Sequence, residues 1–199
     1  MSKEQVLRQA ASTIVSPFVR AAAKLHISPN ALTLTGLVIS LVSAVIVGSG
    51  YLLAGGLVML FSGLFDMIDG ALARSTGKTT KFGALMDSVS DRVSEAALLC
   101  ALLVMYTLRG STPGAFLAAA ALVGSFLTSY IRARAEGLGL ECRVGMFTRA
   151  ERVIVLGLGL ILDQALWQYG ALVAVAILAA FSYVTVVQRM AYVWKQTRK

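Results

Sequence analysis

Acidic side chains are scarce in this chain: ten Asp and Glu among 199 residues, against 18 Lys and Arg. Charged residues of both signs reach only 14%, and proline occurs three times. That is too apolar for a soluble globular domain of this length. Cysteine occurs twice, at Cys100 and Cys142, with no CxxC pair, and the one histidine is His26. A zinc site cannot be built from those three, and His26 reads as a satisfied or solvent-facing side chain. The N-terminus lacks the marks of a signal peptide. Met1 to Lys24 carries Lys3, Arg8, Arg20 and Lys24 scattered along it, with no continuous apolar core and no cleavage-like end.

What is present is apolar, at 57% of residues. The formal net charge of +8 is confined to short connectors between apolar runs. This pattern reads as membrane topology and excludes a nucleic-acid patch. Val6, Ala10, Ile14, Phe18, Ala21 and Leu25 fall near helical spacing within residues 4–25. They predict an amphipathic helix lying in the membrane interface, so that residues 1–28 form a juxtamembrane segment. His26 to Asn30 breaks it, with Pro29 holding Ser28 out of helix and Asn30 a candidate N-cap. Residues 29–199 then form one membrane domain. Six apolar runs suit a hydrocarbon layer about 30 Å thick. They predict helices at about 31–49, 52–74, 82–107, 113–136, 147–166 and 168–194. The fold class is all-α and polytopic, with six transmembrane helices.

Basic residues set the orientation. Sixteen of the 18 lie in the N-terminal segment, the second–third connector, the fourth–fifth region and the C-terminal end. Arg109 alone marks the opposite side, and Arg92 lies within the third helix. Both termini and both basic connectors are therefore expected in the cytoplasm.

Against the scarcity of acid, Asp66, Asp69, Asp87 and Asp91 stand inside two adjacent apolar runs. An ionised carboxylate at bilayer depth costs roughly 2.5–3.5 kcal/mol even on a lenient scale. Four of them need a neutralising partner. Positions 66, 69, 70 and 73 share one helical face, and 83, 87 and 91 form a stripe four apart. Joined by a short connector, the two helices are expected to be antiparallel neighbours, with the acids facing across a narrow gap near the cytoplasmic end. Oxygen-only ligands favour hard divalent cations, and two Mg²⁺ or Mn²⁺ would balance four carboxylates. Such a pair suits phosphoryl chemistry. Gly70, Ala73 and Gly83 serve close helix packing and room for a ligand. A cation channel or transporter is the rival reading, but the fixed small residues and Arg74 beside the acids argue against it.

The continuous pattern Asp66-x2-Asp69-Gly70-x2-Ala73-Arg74-x8-Gly83-x3-Asp87-x3-Asp91 resembles the signature of the CDP-alcohol phosphotransferases, with every fixed position and spacer matching. The resemblance covers essentially the whole chain. It implies transfer of a substituted phosphate from a CDP-linked donor to an alcohol, with release of CMP. It implies that Asp66, Asp69, Asp87 and Asp91 hold metal and that Asp91 also serves as the base. Asp66, Asp69, Gly70, Ala73, Arg74 and Gly83 would receive the CDP donor. Pro29-Asn30-x2-Thr33 resembles a segment near the nucleotide in the same family, which adds Asn30 and Thr33. The family commonly forms homodimers.

The acceptor is read from arginines. Arg132-Ala133-Arg134-Ala135-Glu136 ends the fourth helix, Thr148-Arg149-Ala150-Glu151-Arg152 begins the fifth, and Arg189 lies inward of the tail. Positive-inside anchoring needs no substrate. An arginine-lined pocket for a phosphate on the acceptor is the sharper reading. The pattern is similar to the prokaryotic branch of the family that makes phosphatidylinositol phosphate, with Arg132 standing where Lys is frequent. The resemblance implies that Arg132, Arg134, Arg152 and Arg189 hold the acceptor phosphate, and Arg149 is expected at the lipid headgroups or surface. The donor would be CDP-diacylglycerol and the acceptor inositol 1-phosphate, with glycerol 3-phosphate as the alternative. The expected setting is a prokaryotic cytoplasmic membrane with the active site on the cytoplasmic side.

Overall fold

The computed structural model describes residues 16–77, 79–166 and 168–198, and within them the chain is all-helical. A short helix, α1, covers residues 16–24. Six longer ones follow: α2 (Pro29–Gly48), α3 (Leu52–Thr76), α4 (Lys81–Leu108), α5 (Thr112–Gly137), α6 (Arg149–Ala165) and α7 (Gly170–Thr197). Each lies within a few residues of its expected run. The segment 1–15, which carries most of the expected amphipathic helix, lies outside the described residues. In α1, Val19 and Ala22 pack with Leu32 of α2 and Ile68 and Leu72 of α3, while Phe18 and Leu25 are exposed.

α2 packs on α3 and on α4; α3 packs on α6, α6 on α7, α7 on α5, and α5 on α4. The six helices therefore close into a ring. α3 and α4 face each other across a gap, as expected for the acids: both pack on α2, and their own contact is slight.

Apolar packing is concentrated at one end of the ring. Val47, Leu99, Leu102, Leu160, Val175 and Leu178 are fully buried there. The first residues of α3 and α7 are closed by α6, where Gln164 Oε1 accepts from Leu53 N at 2.8 Å and Asp163 Oδ2 accepts from Ala171 N at 2.9 Å. These bonds satisfy N–H groups that a helix start leaves unpaired. At the start of α2 the cap is Ser28, whose hydroxyl accepts from Ala31 N at 3.2 Å. With Pro29 in the first turn, Asn30 is left free of capping.

The outer faces are apolar too: Val45, Leu57 and Phe116 are exposed. α2, α3, α5 and α7 are each long and apolar enough to cross a membrane. α4 carries Asp87, Asp91, Arg92 and Glu95 along its first half. α6 has 17 residues, about 25 Å at the rise of an α-helix.

α6 sits very close to its neighbours. A Cβ at Gly159 would lie 2.2 Å from Ala174 Cβ and 2.9 Å from Gly170 O. Gly159→Ala should lower stability by about 1–3 kcal/mol, as overpacking does. Gly63→Ala, whose Cβ would meet only Val153 Cγ1 at 3.6 Å, should change it by no more than about 0.5 kcal/mol. Thermal melts in detergent compare the two; equal melting temperatures would contradict the close α6–α7 contact.

Candidate active site

The apolar packing gives way at the other end of the ring to polar side chains on every helix. On α3 and α4 these are the aspartates. Asp69 is 3% exposed, and its Oδ2 accepts from Thr33 Oγ1 of α2 at 2.6 Å. One carboxylate is thus tied to α2, the helix that both acid-bearing helices share. Asp66, Asp87 and Asp91 lie within electrostatic range of one another, and Asp69 within range of Asp66 and Asp87.

Two cavities flank the acids. The first, about 160 Å³, is lined by Asn30, Thr33, Asp69, Gly70, Ala73, Arg74, Gly83 and Asp87. Every residue expected to receive the CDP donor, apart from Asp66, is in that wall. Gly70 and Gly83 make the room. A Cβ at Gly70 would lie 3.3 Å from Arg74 Nη1, and one at Gly83 would lie 3.1 Å from Asn30 Oδ1.

The second cavity, about 540 Å³, is lined by Asp91 and Glu95 together with Arg92, Arg132, Arg143, Arg149, Arg152 and Arg189. A small void of about 30 Å³ reaches Asp66, Asp91 and Glu95 from beneath. The aspartates therefore stand between a cavity of donor-motif residues and a cavity of arginines.

Three of the four arginines expected around an acceptor phosphate line the larger cavity. Arg189 Nε donates to Val144 O at 2.9 Å, and its Nη1 donates to Thr128 O. Arg132 Nε pairs with Glu136 Oε1 at 2.9 Å, one turn along α5. Arg152 is buried. Arg134 is not brought to the cavity. It is exposed on α5, two residues from Arg132 and so on a different face.

Arg149 departs most from expectation. It does not reach out to headgroups or the surface. Its Nη2 meets Asp66 Oδ2 and its Nη1 meets Asp91 Oδ1, both at 2.7 Å. The cause is local. Thr148 and Glu151 form a reciprocal capping box that starts α6 at Arg149 and aims its first turn into the gap between α3 and α4. As the side chains stand, no three acidic or other liganding groups among the described residues are gathered closely enough to hold one ion. Part of the positive charge the acids require is supplied by Arg149.

Glu95 was not singled out from the sequence, although it continues the stripe of 83, 87 and 91 by one more step of four. Arg143 and Arg92 are further additions to the larger cavity.

Comparison with known proteins follows the same lines. The model of the family described as CDP-alcohol phosphatidyltransferase matches residues 26–191. The archaetidylinositol phosphate synthase of Methanothermobacter thermautotrophicus is 35% identical over 167 residues, which is 84% of this chain and 83% of that protein. The crystal structure of Mycobacterium tuberculosis phosphatidylinositol phosphate synthase with CDP-DAG bound matches with a TM-score of 0.85 at 35% identity, over 92% of this chain and 94% of that one. The same enzyme in complex with manganese and citrate matches with a TM-score of 0.84 at 35% identity, over 90% and 88% of the two chains.

The Arg149 bridge makes a stability prediction. In metal-free protein kept in EDTA, Arg149→Ala leaves Asp66 and Asp91 facing each other without a counter-charge, which should cost about 2–3 kcal/mol. Adding Asp66→Asn should recover part of the loss, because it removes one of the two facing charges and with it their mutual repulsion. Thermal unfolding of the two variants measures this. An unaltered melting temperature in Arg149→Ala would mean the bridge carries no stabilisation.

Proposed function

The chain belongs to the CDP-alcohol phosphatidyltransferase family, and from that membership we propose that it transfers the phosphatidyl group of CDP-diacylglycerol to inositol 1-phosphate, releasing CMP. The observation that carries this reading is the pair of cavities meeting at the aspartates, one walled by the donor motif and the other by arginines. A neutral acceptor such as serine would have no use for six arginines around one cavity. A phosphorylated polyol does, because guanidinium forks match phosphate oxygens in charge and shape.

The cytidine diphosphate head enters the smaller cavity beside Asn30, Thr33, Gly70, Ala73, Arg74 and Gly83, with the acyl chains in the bilayer. The acceptor lies in the larger cavity with its phosphate on Arg132, Arg152 and Arg189. One of its hydroxyl oxygens attacks the β-phosphorus of the donor. The new P–O bond forms as the bond from that phosphorus to the bridging oxygen breaks, and CMP leaves with that oxygen. Asp91, which borders the acceptor cavity, takes the hydroxyl proton. Holding donor and acceptor on opposite sides of one carboxylate cluster supplies proximity.

The enzyme is metal-dependent. Asp66, Asp69, Asp87 and Asp91 are an oxygen-only donor set, and Asp91 Oδ1 is buried without an aligned hydrogen-bond donor. The oxygen-only donor set fits a hard divalent cation, with Arg149 Nη1 now standing against Asp91 Oδ1 in its place, and two Mg²⁺ or Mn²⁺ ions would balance the four charges. When bound, divalent metal supplies charge neutralisation to the pyrophosphate and to departing CMP. Arg149 would then yield its contacts with Asp66 and Asp91.

The same proposal includes six membrane spans, with α4 and α6 completing the ring that the four apolar helices begin. Both termini and the active site face the cytoplasm of a prokaryotic cell. α1 lies along the interface, and small residues on the helix faces support a homodimer.

Asp66→Asn, Asp69→Asn and Asp87→Asn should each abolish transfer and weaken Mn²⁺ binding, while metal-free stability holds or rises only in Asp87→Asn, which loses like-charge repulsion without losing the Arg149 or Thr33 contact. Full activity in any of the three would remove that residue from the metal site. Asp91→Asn should lower turnover more than donor affinity, as loss of a base does.

Arg132→Ala or Arg189→Ala should raise the Michaelis constant for inositol 1-phosphate by about one to two orders of magnitude. The constant for CDP-diacylglycerol should move far less, and Arg134→Ala should leave both within about threefold. Unchanged acceptor constants for Arg132→Ala and Arg189→Ala would overturn the phosphate assignment.

A further inference from the structure

Arg152 differs from the other arginines of the larger cavity in being held from behind. It is 8% exposed and stands three residues, just under one helical turn, further into the bundle than Arg149. Its Nη1 donates to Ser125 Oγ of α5 at 2.6 Å and lies 3.1 Å from Glu95 Oε1 of α4. Its Nε is buried with no protein partner. In a guanidinium, Nε shares an edge with Nη2, on the side away from Nη1. The contacts of Arg152 therefore occupy one corner of the group and leave the Nε–Nη2 edge unspent. Of the two edges that can grip a phosphate with two parallel hydrogen bonds, it is the one the Nη1 contacts leave free.

Glu95 calls for an explanation of its own. A carboxylate bordering a cavity for a phosphate repels the ligand unless its charge is taken up. A buried ion pair is also weak evidence for stability, since apolar residues of similar size commonly do as well. Glu95 sits one turn beyond Asp91 on α4, and its charge is spent on Arg152. A guanidinium on a long, flexible stem loses less freedom on binding its ligand if it is already fixed in place.

We propose that Glu95, with Ser125, is a positioning residue. The two take up Nη1 of Arg152 and hold the guanidinium so that its Nε–Nη2 edge is presented to the phosphate of the acceptor. This rests on the reading of the arginine-lined cavity as the acceptor-phosphate site.

The test is acceptor kinetics on the purified full-length protein in mixed micelles, with saturating CDP-diacylglycerol and Mn²⁺ and inositol 1-phosphate varied. Glu95→Ala should raise the acceptor constant about tenfold, with the donor constant changed less than about twofold. Glu95 Oε1 pairs with Nη1 by charge and accepts no hydrogen bond, so Glu95→Gln should raise the constant nearly as far as Glu95→Ala does. In an Arg152→Ala background, Glu95→Ala should add no more than about twofold, because the group it positions is gone.

An acceptor constant left unchanged by Glu95→Ala in the parent overturns the proposal. So does an equal loss in both backgrounds, which would put Glu95 on the acceptor itself. If Glu95→Ala does not fold, Ser125→Ala decides. It should raise the acceptor constant about threefold in the parent and not in Arg152→Ala, and no rise in the parent overturns the clamp. An unchanged constant in Arg152→Ala alone would remove the phosphate reading of this arginine, and the role of Glu95 with it.

Discussion

Carboxylates within electrostatic range of one another at bilayer depth repel strongly, because neither water nor salt screens them well there. Asp66, Asp69, Asp87 and Asp91 lie within such range in a largely apolar helical bundle, and much of the molecule is arranged around them. Their two helices do not pack on each other but on α2, which leaves the gap a ligand needs. Thr33 donates to Asp69 from that shared helix, and Arg149 is brought from α6 to meet Asp66 and Asp91. The stability that makes such an arrangement tolerable is supplied elsewhere. The far end of the ring is packed with Leu and Val and closed by side chains of α6 that cap two of its neighbours.

Function follows from what the charge separates. The donor-motif residues line one side of the acids and the arginines line the other. An enzyme joining a pyrophosphate donor to a phosphorylated alcohol must keep two anionic ligands apart until their reacting atoms meet. A carboxylate cluster that carries divalent metal does both, attracting the pyrophosphate through the metal and separating the acceptor's phosphate from it. On the proposed reading, the arginines would complete the arrangement by fixing the end of the acceptor that does not react.

Much of this was legible in the sequence. Helix limits followed from the lengths of the apolar runs, and the acid stripes followed from spacings of three and four. Spacing along one helix fixes the direction of a side chain but not which neighbour it meets. That is why the spacing gives the facing acids of α3 and α4 but not their shared reliance on α2, and why it points Arg149 to the surface although Thr148 and Glu151 offer a capping box. Arg132 and Arg134 carry the same chemistry two residues apart, and only the packing of α5 on α4 and α7 distinguishes the one lining the cavity from the one left outside. Glu95 is legible as a fourth position of the stripe but has no meaning without Arg152 beside it.

The most direct test of the account is CMP release and lipid product formation from labelled CDP-diacylglycerol, with inositol 1-phosphate, inositol or glycerol 3-phosphate offered in turn, each with Mn²⁺ and with EDTA. The account predicts phosphatidylinositol phosphate and stoichiometric CMP with inositol 1-phosphate and Mn²⁺, and little product under any other condition. Equal turnover with unphosphorylated inositol, or turnover that survives EDTA, would contradict it.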